Sequence, residues 1–300
     1  MKEKNALPIL VLRFDTESAY ALRQEPENNK NWTKWISESL SAVQRITEIL
    51  DEFKVPATFF IVGKLLEKAG DQYAALLGNN DLIDAQSHTF SHSKIKRPQS
   101  LEQLGEELDK TSQLLVKYFH KPPIGICAPG NHVDGLQGCR DVLKLIWERG
   151  YRFLGSDGAA RPQKAGGLGP APFKQPYWYA HDGYPGLLEL PLTGWHCNML
   201  TNSGGQNGLW QPDVSYPDGG ILEKLPRTEL EAFAVRKREL EWAMQNKLIY
   251  SPCIHPWSIY RFGRKLEHLQ MLIRYAREHN VTIMNAIQLY EFLKDKKNKQ

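Results

Sequence analysis

The sequence predicts an α/β chain folded as a distorted (β/α) barrel of seven or eight parallel strands. Short apolar, β-branched runs alternate with amphipathic stretches along its length. The alternation persists over seven or eight units, which argues for a parallel sheet and most simply a closed barrel. Residues with reactive side chains fall where the strand-like runs end, and in a parallel barrel those ends converge on one face.

The strand-like runs are Ile9–Asp15, Ala57–Gly63, Asp81–Ser87, Gly125–Pro129, Phe153–Asp157, Leu187–Thr193, Leu248–His255 and Val281–Asn285. Helical patterns lie between most of them: Trp35–Phe53, Lys64–Leu77, Leu101–Phe119, Leu136–Arg149, Glu229–Asn246 and Lys265–His279. Ser100-x-x-Gln103 and Thr228-x-x-Glu231 read as capping boxes at two helix starts. No internal repeat is visible. Two long segments, Gly158–Gly186 and Asn202–Leu225, break the rhythm. They read as lids or substrate walls rather than linkers, because strand-helix units resume after each. Three hundred residues can bury a core of barrel size, so a single domain over 1–300 is expected.

The 38 Lys and Arg barely exceed the 34 Asp and Glu, and the signs are interspersed, which argues against a nucleic-acid partner. The one basic run, Lys294–Lys299, reads as a frayed, solvated tail. No window approaches a membrane span, and the first residues hold no apolar stretch of signal-peptide length. Cys127, Cys139, Cys197 and Cys253 show neither C-x-x-C spacing nor disulfide density. They read as reduced thiols, and a cytoplasmic location is expected.

The most informative feature is His88 and His92, four residues apart at the end of an apolar run. A strand handing over to a helical turn there would put both imidazoles on one side. That is half of a site for a first-row metal such as zinc. Asp15 and Glu17 end the first strand two residues apart, and on a strand they would share a face. One carboxylate can complete a two-His, one-carboxylate shell, and the other can take a proton from water there. Pro129-Gly130-Asn131, Asp157, Trp195 and His196, and His255 stand at the ends of later strands. An imidazole at 255 could protonate a leaving amine, with Asp157 fixing its tautomer.

These pieces, in this order, resemble the polysaccharide deacetylase family, the NodB-homology domain of carbohydrate esterase family 4. Phe14-Asp15-Thr16-Glu17 is similar to its first motif and Ser87-His88-Thr-Phe-Ser-His92 to its second. Cys127-Ala-Pro-Gly130 resembles the third, Gly155-Ser-Asp157 the fourth and Ile254-His255 the fifth. The resemblance implies a NodB-like barrel and a metal-dependent hydrolase of amide or N-acyl groups. It implies Asp15 as general base and Glu17, His88 and His92 as ligands to a divalent metal, zinc foremost, with cobalt, nickel or manganese as alternatives. It further implies His255 as general acid supported by Asp157, and oxyanion or substrate contacts at Pro129, Gly130, Asn131 and Trp195.

Three departures stand out. Glu17 replaces an adjacent Asp, so ligand and base could be exchanged between Asp15 and Glu17. Cys127 stands where the family usually has an Arg, and Arg13 is read as facing away from Asp15, leaving no substitute. The fourth motif lacks its trailing Asp-Trp. The departures resemble the lipid-linked aminosugar deformylases and the allantoinase- or imidase-like members. The expected substrate is therefore a sugar-derived N-acetyl or N-formyl compound, with a cyclic amide as the alternative and an inactive carbohydrate-binding homologue as a third reading. Tyr177-Trp-Tyr179, Trp195 and Trp210 are candidates to stack on a pyranose ring or to pack a long loop.

Overall fold

In the computed structural model, which describes residues 8–18, 32–158, 170–201 and 225–299, the first run divides at Leu12 into β1 (Ile9–Val11) and β2 (Arg13–Thr16). Next come α1 (Trp32–Phe53), β3 (Ala57–Ile61), α2 (Gly63–Leu77), β4 (Ile83–Ser87), α3 (Leu101–Phe119), β5 (Gly125–His132), α4 (Arg140–Glu148) and β6 (Phe153–Asp157). The chain continues through β7 (Tyr177–Tyr179), β8 (Tyr184–Glu189), α5 (Cys197–Leu200), α6 (Glu229–Asn246) and β9 (Ile249–Tyr250). It ends with α7 (Pro256–Phe262), α8 (Glu267–Glu278), β10 (Thr282–Met284) and α9 (Ala286–Asn298).

The strands form a seven-stranded sheet, β2-β3-β4-β5-β6-β8-β7, and a three-stranded sheet, β10-β1-β9. Single hydrogen bonds, not a continuous ladder, link the two. Thr193 N donates to Ser251 O at 2.9 Å, Asp15 N to Ile254 O at 2.9 Å and Leu12 N to Met284 O at 3.0 Å. Every ladder is parallel except β7–β8. The expectation of parallel strands throughout is corrected there. Only the 3-10 turn Ala180–Asp182 and Gly183, at φ 93°, separate β7 from β8, too short a path for a parallel crossover.

Alternation sorts the strand residues into two sets. Ile9, Val11, Phe60, Cys127, Phe153, Leu188 and Leu190 pack with one another and with α9, filling the barrel interior. Leu10, Leu12, Phe14, Phe59 and Ile61 point the other way, onto a layer that includes α1, α2 and α8. The odd-numbered residues of the first strands therefore face inward, which puts Arg13 and Asp15 on the inner face near its C-terminal end.

Several boundaries differ from expectation. The helix expected over 136–149 begins at Arg140, because Gly135 and Gly138 take left-handed φ of 51° and 77° and hold the preceding turn open. Ser100 Oγ accepts from Gln103 N and Thr228 Oγ1 from Glu231 N, as predicted. The full reciprocal box is at Asn285 and Gln288, which opens the unanticipated α9. The expected frayed tail lies within that helix through Asn298, where its lysines are solvated but helical and Lys294 Nζ meets Glu291 at 3.0 Å. The described part of 158–186 is the edge strand β7 and its turn rather than a lid. Residues 202–224, most of the second expected wall, and Trp210 with them, lie outside the described residues. Among the described residues no helix is long and apolar enough to cross a membrane.

Candidate active site

The histidine-bearing segment is tied down from two sides. The first N–H groups of a helix lack intrahelical acceptors, and here Gly63 N and Lys64 N of α2 donate to Thr89 O and Phe90 O, both at 2.9 Å. A Cβ at Gly63 would lie 2.7 Å from the Phe90 ring, so glycine permits that approach. From the other side, Ser91 N and Oγ donate to the Glu107 carboxylate of α3 at 2.7 and 2.6 Å. The expected helical turn over 88–92 does not form. Thr89 and His92 instead take left-handed φ of 59° and 64°. This tighter path still brings the two imidazoles together, with ring centroids 4.9 Å apart.

Glu17, His88 and His92 are all buried, and one donor atom from each lies within 4.8 Å of the others. His92 Nε2 is 2.5 Å from Glu17 Oε2. His88 Nδ1 donates to Cys127 O at 2.9 Å, which leaves the Nε2 lone pair free. That Nε2 is buried without a protein partner. Burial, outweighing Asp15, holds the His88 pKa down to about 4, so the ring is a neutral donor at pH 7. Burial opposes ionisation of Glu17, but His92, His255 and His88 keep its pKa well below the usual carboxylate range. Two imidazoles and one carboxylate, with an unpartnered nitrogen between them, fit a divalent ion with open positions.

Asp15 sits beside this triad with a different set of neighbours. Cys127 Sγ donates to its Oδ2 at 3.3 Å, and Arg13 Nη2 is 3.9 Å from its Oδ1. Arg13 lies 4.6 Å over the Phe60 ring, and its Nη1 donates to Leu190 O at 3.2 Å. A Cβ at Gly155 would fall 2.2 Å from Arg13 Nη2, so the guanidinium occupies the space that glycine leaves. The expectation that Arg13 faces away is therefore overturned: residues two apart on a strand share a face. Burial would raise the Asp15 pKa, yet His88, Arg13 and His255 hold it below the ordinary value. Asp15 thus has Cys127 of β5 at one oxygen and Arg13, from its own strand β2, near the other.

His255, the N-cap of α7, comes in from the opposite side of the rim. Its Nε2 is 3.5 Å from Glu17 Oε1, and its Nδ1 is 3.1 Å from Cys197 Sγ and 3.9 Å from Cys253 Sγ. Burial favours the neutral ring, but the two thiols and Glu17 raise its pKa well above the usual histidine value. His196 stacks beside it at 4.8 Å between centroids, and burial pulls that ring down to about 3.

Asp157 does not reach His255. Lys174 Nζ donates to both its oxygens at 3.1 and 2.9 Å, and Tyr177 OH adds a bond at 3.1 Å. Lys174 also binds Asp134 at 2.7 Å. Pro129 is buried, and Gly130 and Asn131 take positive φ of 76° and 22° at a bulge in β5, beside the rim. Trp195 is 0% exposed, so its indole is core rather than a platform for a sugar ring, and its backbone N–H donates to Glu239 at 2.5 Å. Tyr177, Trp178 and Tyr179 likewise pack against the body of the protein, Trp178 on Tyr290 of α9, and Tyr179 OH donates to Glu189 at 2.6 Å. The loop-packing alternative thus describes these rings. Sequence reasoning missed Arg13, Lys174 and the thiols of Cys197 and Cys253. Only Arg13 had a local signal, its spacing from Asp15. A cleft of about 670 Å³ opens beside His92, with Lys94, Arg97, Gln99 and Gln103 on its wall.

Comparison with known proteins bears on this geometry. Residues 37–145 match the polysaccharide deacetylase family. The resemblance drawn from the motifs is thereby borne out over the segment holding His88, His92 and Cys127–Gly130. A structure from Mycobacterium smegmatis described as a polysaccharide deacetylase superposes with a TM-score of 0.70 at 18% identity, covering 99% of this chain and 93% of its own. The Puue allantoinase gives 0.64 at 16%, covering 94% and 88%. A polysaccharide deacetylase from Pseudomonas aeruginosa PAO1 gives 0.63 at 15%, covering 94% and 89%. At such identities the likeness is one of fold: an α/β fold of mostly parallel strands shared with deacetylase structures. No curated protein matches the sequence.

Proposed function

We propose that the chain is a divalent-metal-dependent deacylase that hydrolyses the amide C–N bond of an N-acetyl or N-formyl group on a sugar-derived small molecule. The observation that carries this reading is the convergence of Glu17, His88 and His92 with the ionised Asp15 beside them. Glu17, His88 and His92 would hold the ion, zinc by preference for this donor set. When bound, such an ion supplies Lewis acidity and makes water acidic enough to attack near neutral pH.

The remaining steps fall to the protein. Asp15 accepts the proton of the attacking water. Arg13 and Cys127 orient its carboxylate, one oxygen each. His255, across Glu17 from the histidine pair, gives a proton to the departing nitrogen, without which C–N cleavage must expel a strongly basic anion. The backbone at the Gly130–Asn131 bulge is the candidate donor to the developing oxyanion.

A second reading, hydrolysis of a cyclic amide by the same residues, is prompted by the allantoinase among the structural neighbours. Elemental analysis together with amine release on a panel of N-acylated sugars and cyclic imides tests both. One ion per chain and turnover of N-acylated sugars is the expected result. Turnover confined to cyclic imides would favour the second reading, and metal-free protein with full activity would sink the first.

A further inference from the structure

The resemblance assigned Asp157 to hold the proton-donating histidine, and the structure leaves that position to another residue. Asp157 is committed to Lys174 through both oxygens and to Tyr177. Among the described residues, the groups bonded to His255 Nδ1 are sulfurs, with Cys197 Sγ nearer at 3.1 Å. Cys197 Sγ also accepts the backbone N–H of residue 255 at 3.0 Å. One sulfur thus grips the ring and the main chain of the same histidine.

The sulfur is itself fixed. Cys197 N donates to Cys253 O at 3.3 Å, which pins the segment after β8 to the segment after β9. Cys197 O accepts from Thr201 N at 2.9 Å and Thr201 Oγ1 at 3.0 Å, and Thr201 Oγ1 in turn meets Ser258 Oγ of α7 at 2.7 Å. Arg236 of α6 donates to Cys253 O at 3.4 Å and to Glu239 at 3.0 Å, backing the same corner. Cys197 is 2% exposed, so bulk solvent does not reach the contact. A ring held at Nδ1 has one orientation left, and here it presents Nε2 toward Glu17 at 3.5 Å.

We propose that Cys197 is the positioning residue of His255, holding the imidazole by Nδ1 so that Nε2 faces the reacting centre, in the place the family resemblance gave to Asp157. The inference rests on the deacylase reading for what His255 does, but not for how the ring is held. Sulfur suits this corner because a single atom meets both a ring nitrogen and a backbone N–H. A carboxylate would bring a second oxygen needing its own partner in a buried site.

The ring can be observed without any substrate. In protein labelled with ¹⁵N-histidine, the His255 resonances are identified by their absence from His255→Ala. Cys197→Ala should move the His255 Nδ1 signal, Cys197→Ser should move it less, and Asp157→Asn should leave it in place. Metal content should match the wild type in all three. A His255 signal unchanged in Cys197→Ala, or moved as far by Asp157→Asn, overturns the proposal. If Cys197→Ala does not fold, judged by circular dichroism, the comparison of Cys197→Ser with Asp157→Asn decides alone.

A kinetic arm separates the positioning role from the deacylase reading. Loss of an outer-shell partner typically costs roughly 10- to 100-fold. Cys197→Ala should lose about that much in kcat on N-acetylglucosamine oligomers with little change in KM, and much less on 4-nitrophenyl acetate, whose leaving group needs no proton. Cys197→Ser should recover part of the loss. Equal loss on both substrates in Cys197→Ala, where His255→Ala discriminates between them, counts against Cys197. If His255→Ala itself fails to discriminate, the acid role of His255 falls, and the resonance shifts still decide whether Cys197 holds the ring.

Discussion

Carboxylates face the barrel interior at both ends, buried at one and half-buried at the other, and the two ends treat them in opposite ways. At the C-terminal rim, Asp15 and Glu17 have their pKa values held below the ordinary range although burial alone would raise them. Near the other end, Asp84 of β4, paired in register with Thr58 of β3, is pushed up to about 6. Desolvation acts in the same direction at all three. The difference lies in the company: imidazoles and a guanidinium surround the rim acids, whereas among the described residues Asp84 accepts from the Gln86 amide at 2.7 Å and the Thr58 hydroxyl at 3.1 Å, with Lys121 a lesser influence. Neutral donors do not offset the lost water at Asp84, whereas the Arg13 guanidinium and the His255 ring, whose pKa is raised, favour the charged carboxylates at the rim. The rim can therefore hold anions ready to bind a metal or take a proton, and the opposite end is built for packing.

The largest test of that contrast removes the rim's nitrogen donors. His88→Ala and His92→Ala should each lose bound metal and abolish deacylation while leaving the secondary structure intact. Elemental analysis and circular dichroism on the same samples read both. A full complement of metal in both variants would remove the triad from consideration and leave the rim acids without a purpose.

The next test divides the two rim acids. Asp15→Asn should keep the metal and lose roughly 10²–10⁴-fold in kcat, the usual scale of acid–base catalysis. Glu17→Gln should weaken metal binding first. The reverse pattern would exchange ligand and base, as their two-residue spacing allows. Loss of neither property would exclude the segment.

His255→Ala probes the far side of the rim and should cost less overall, because its effect depends on the substrate. On an ordinary N-acyl amine the loss should approach the same roughly 10²–10⁴-fold range, and on an activated ester it should be small. Metal content should not change. If metal is lost instead, the imidazole is a ligand rather than a proton donor.

The half of the site carried by short local patterns was legible in the sequence. His88 and His92 are four residues apart and Asp15 and Glu17 two, so short spacing alone marked each pair, although contacts from α2 and α3 set the path that joins the two imidazoles. The strand-helix rhythm likewise foretold which ends would meet. The other half depends on contacts between distant segments. Cys197 meets His255 across a sequence separation of 58, and a search for spacing among cysteines cannot reveal a sulfur whose partner is an imidazole. Asp157 stood in the expected place, but Lys174 reaches it from a segment read only as a long loop. Arg13 was misread despite a usable signal, since period-two alternation already puts it beside Asp15. Left-handed φ values at Thr89 and His92 replaced the expected helical turn because the first N–H groups of α2 draw the loop carbonyls toward them.

The smallest expected effect lies at the end away from the metal donors, and it sharpens the contrast most directly. The Asp84 carboxyl is pushed up to about 6 from an ordinary value of 3.8, and burial is the leading cause. A carboxyl raised in this way favours the folded state while protonated. Its contribution is fully present below about pH 4 and is lost as pH rises through about 6. Asp84→Asn removes the ionisation and keeps the shape, so the variant should gain on the wild type between pH 4 and 7 and lose that advantage in acid. Urea unfolding of both proteins, freed of metal so that the rim contributes equally, measures the difference at each pH. Parallel stability profiles would mean that Asp84 ionises at no cost, and its mainly neutral surroundings would then not distinguish it from Asp15 and Glu17.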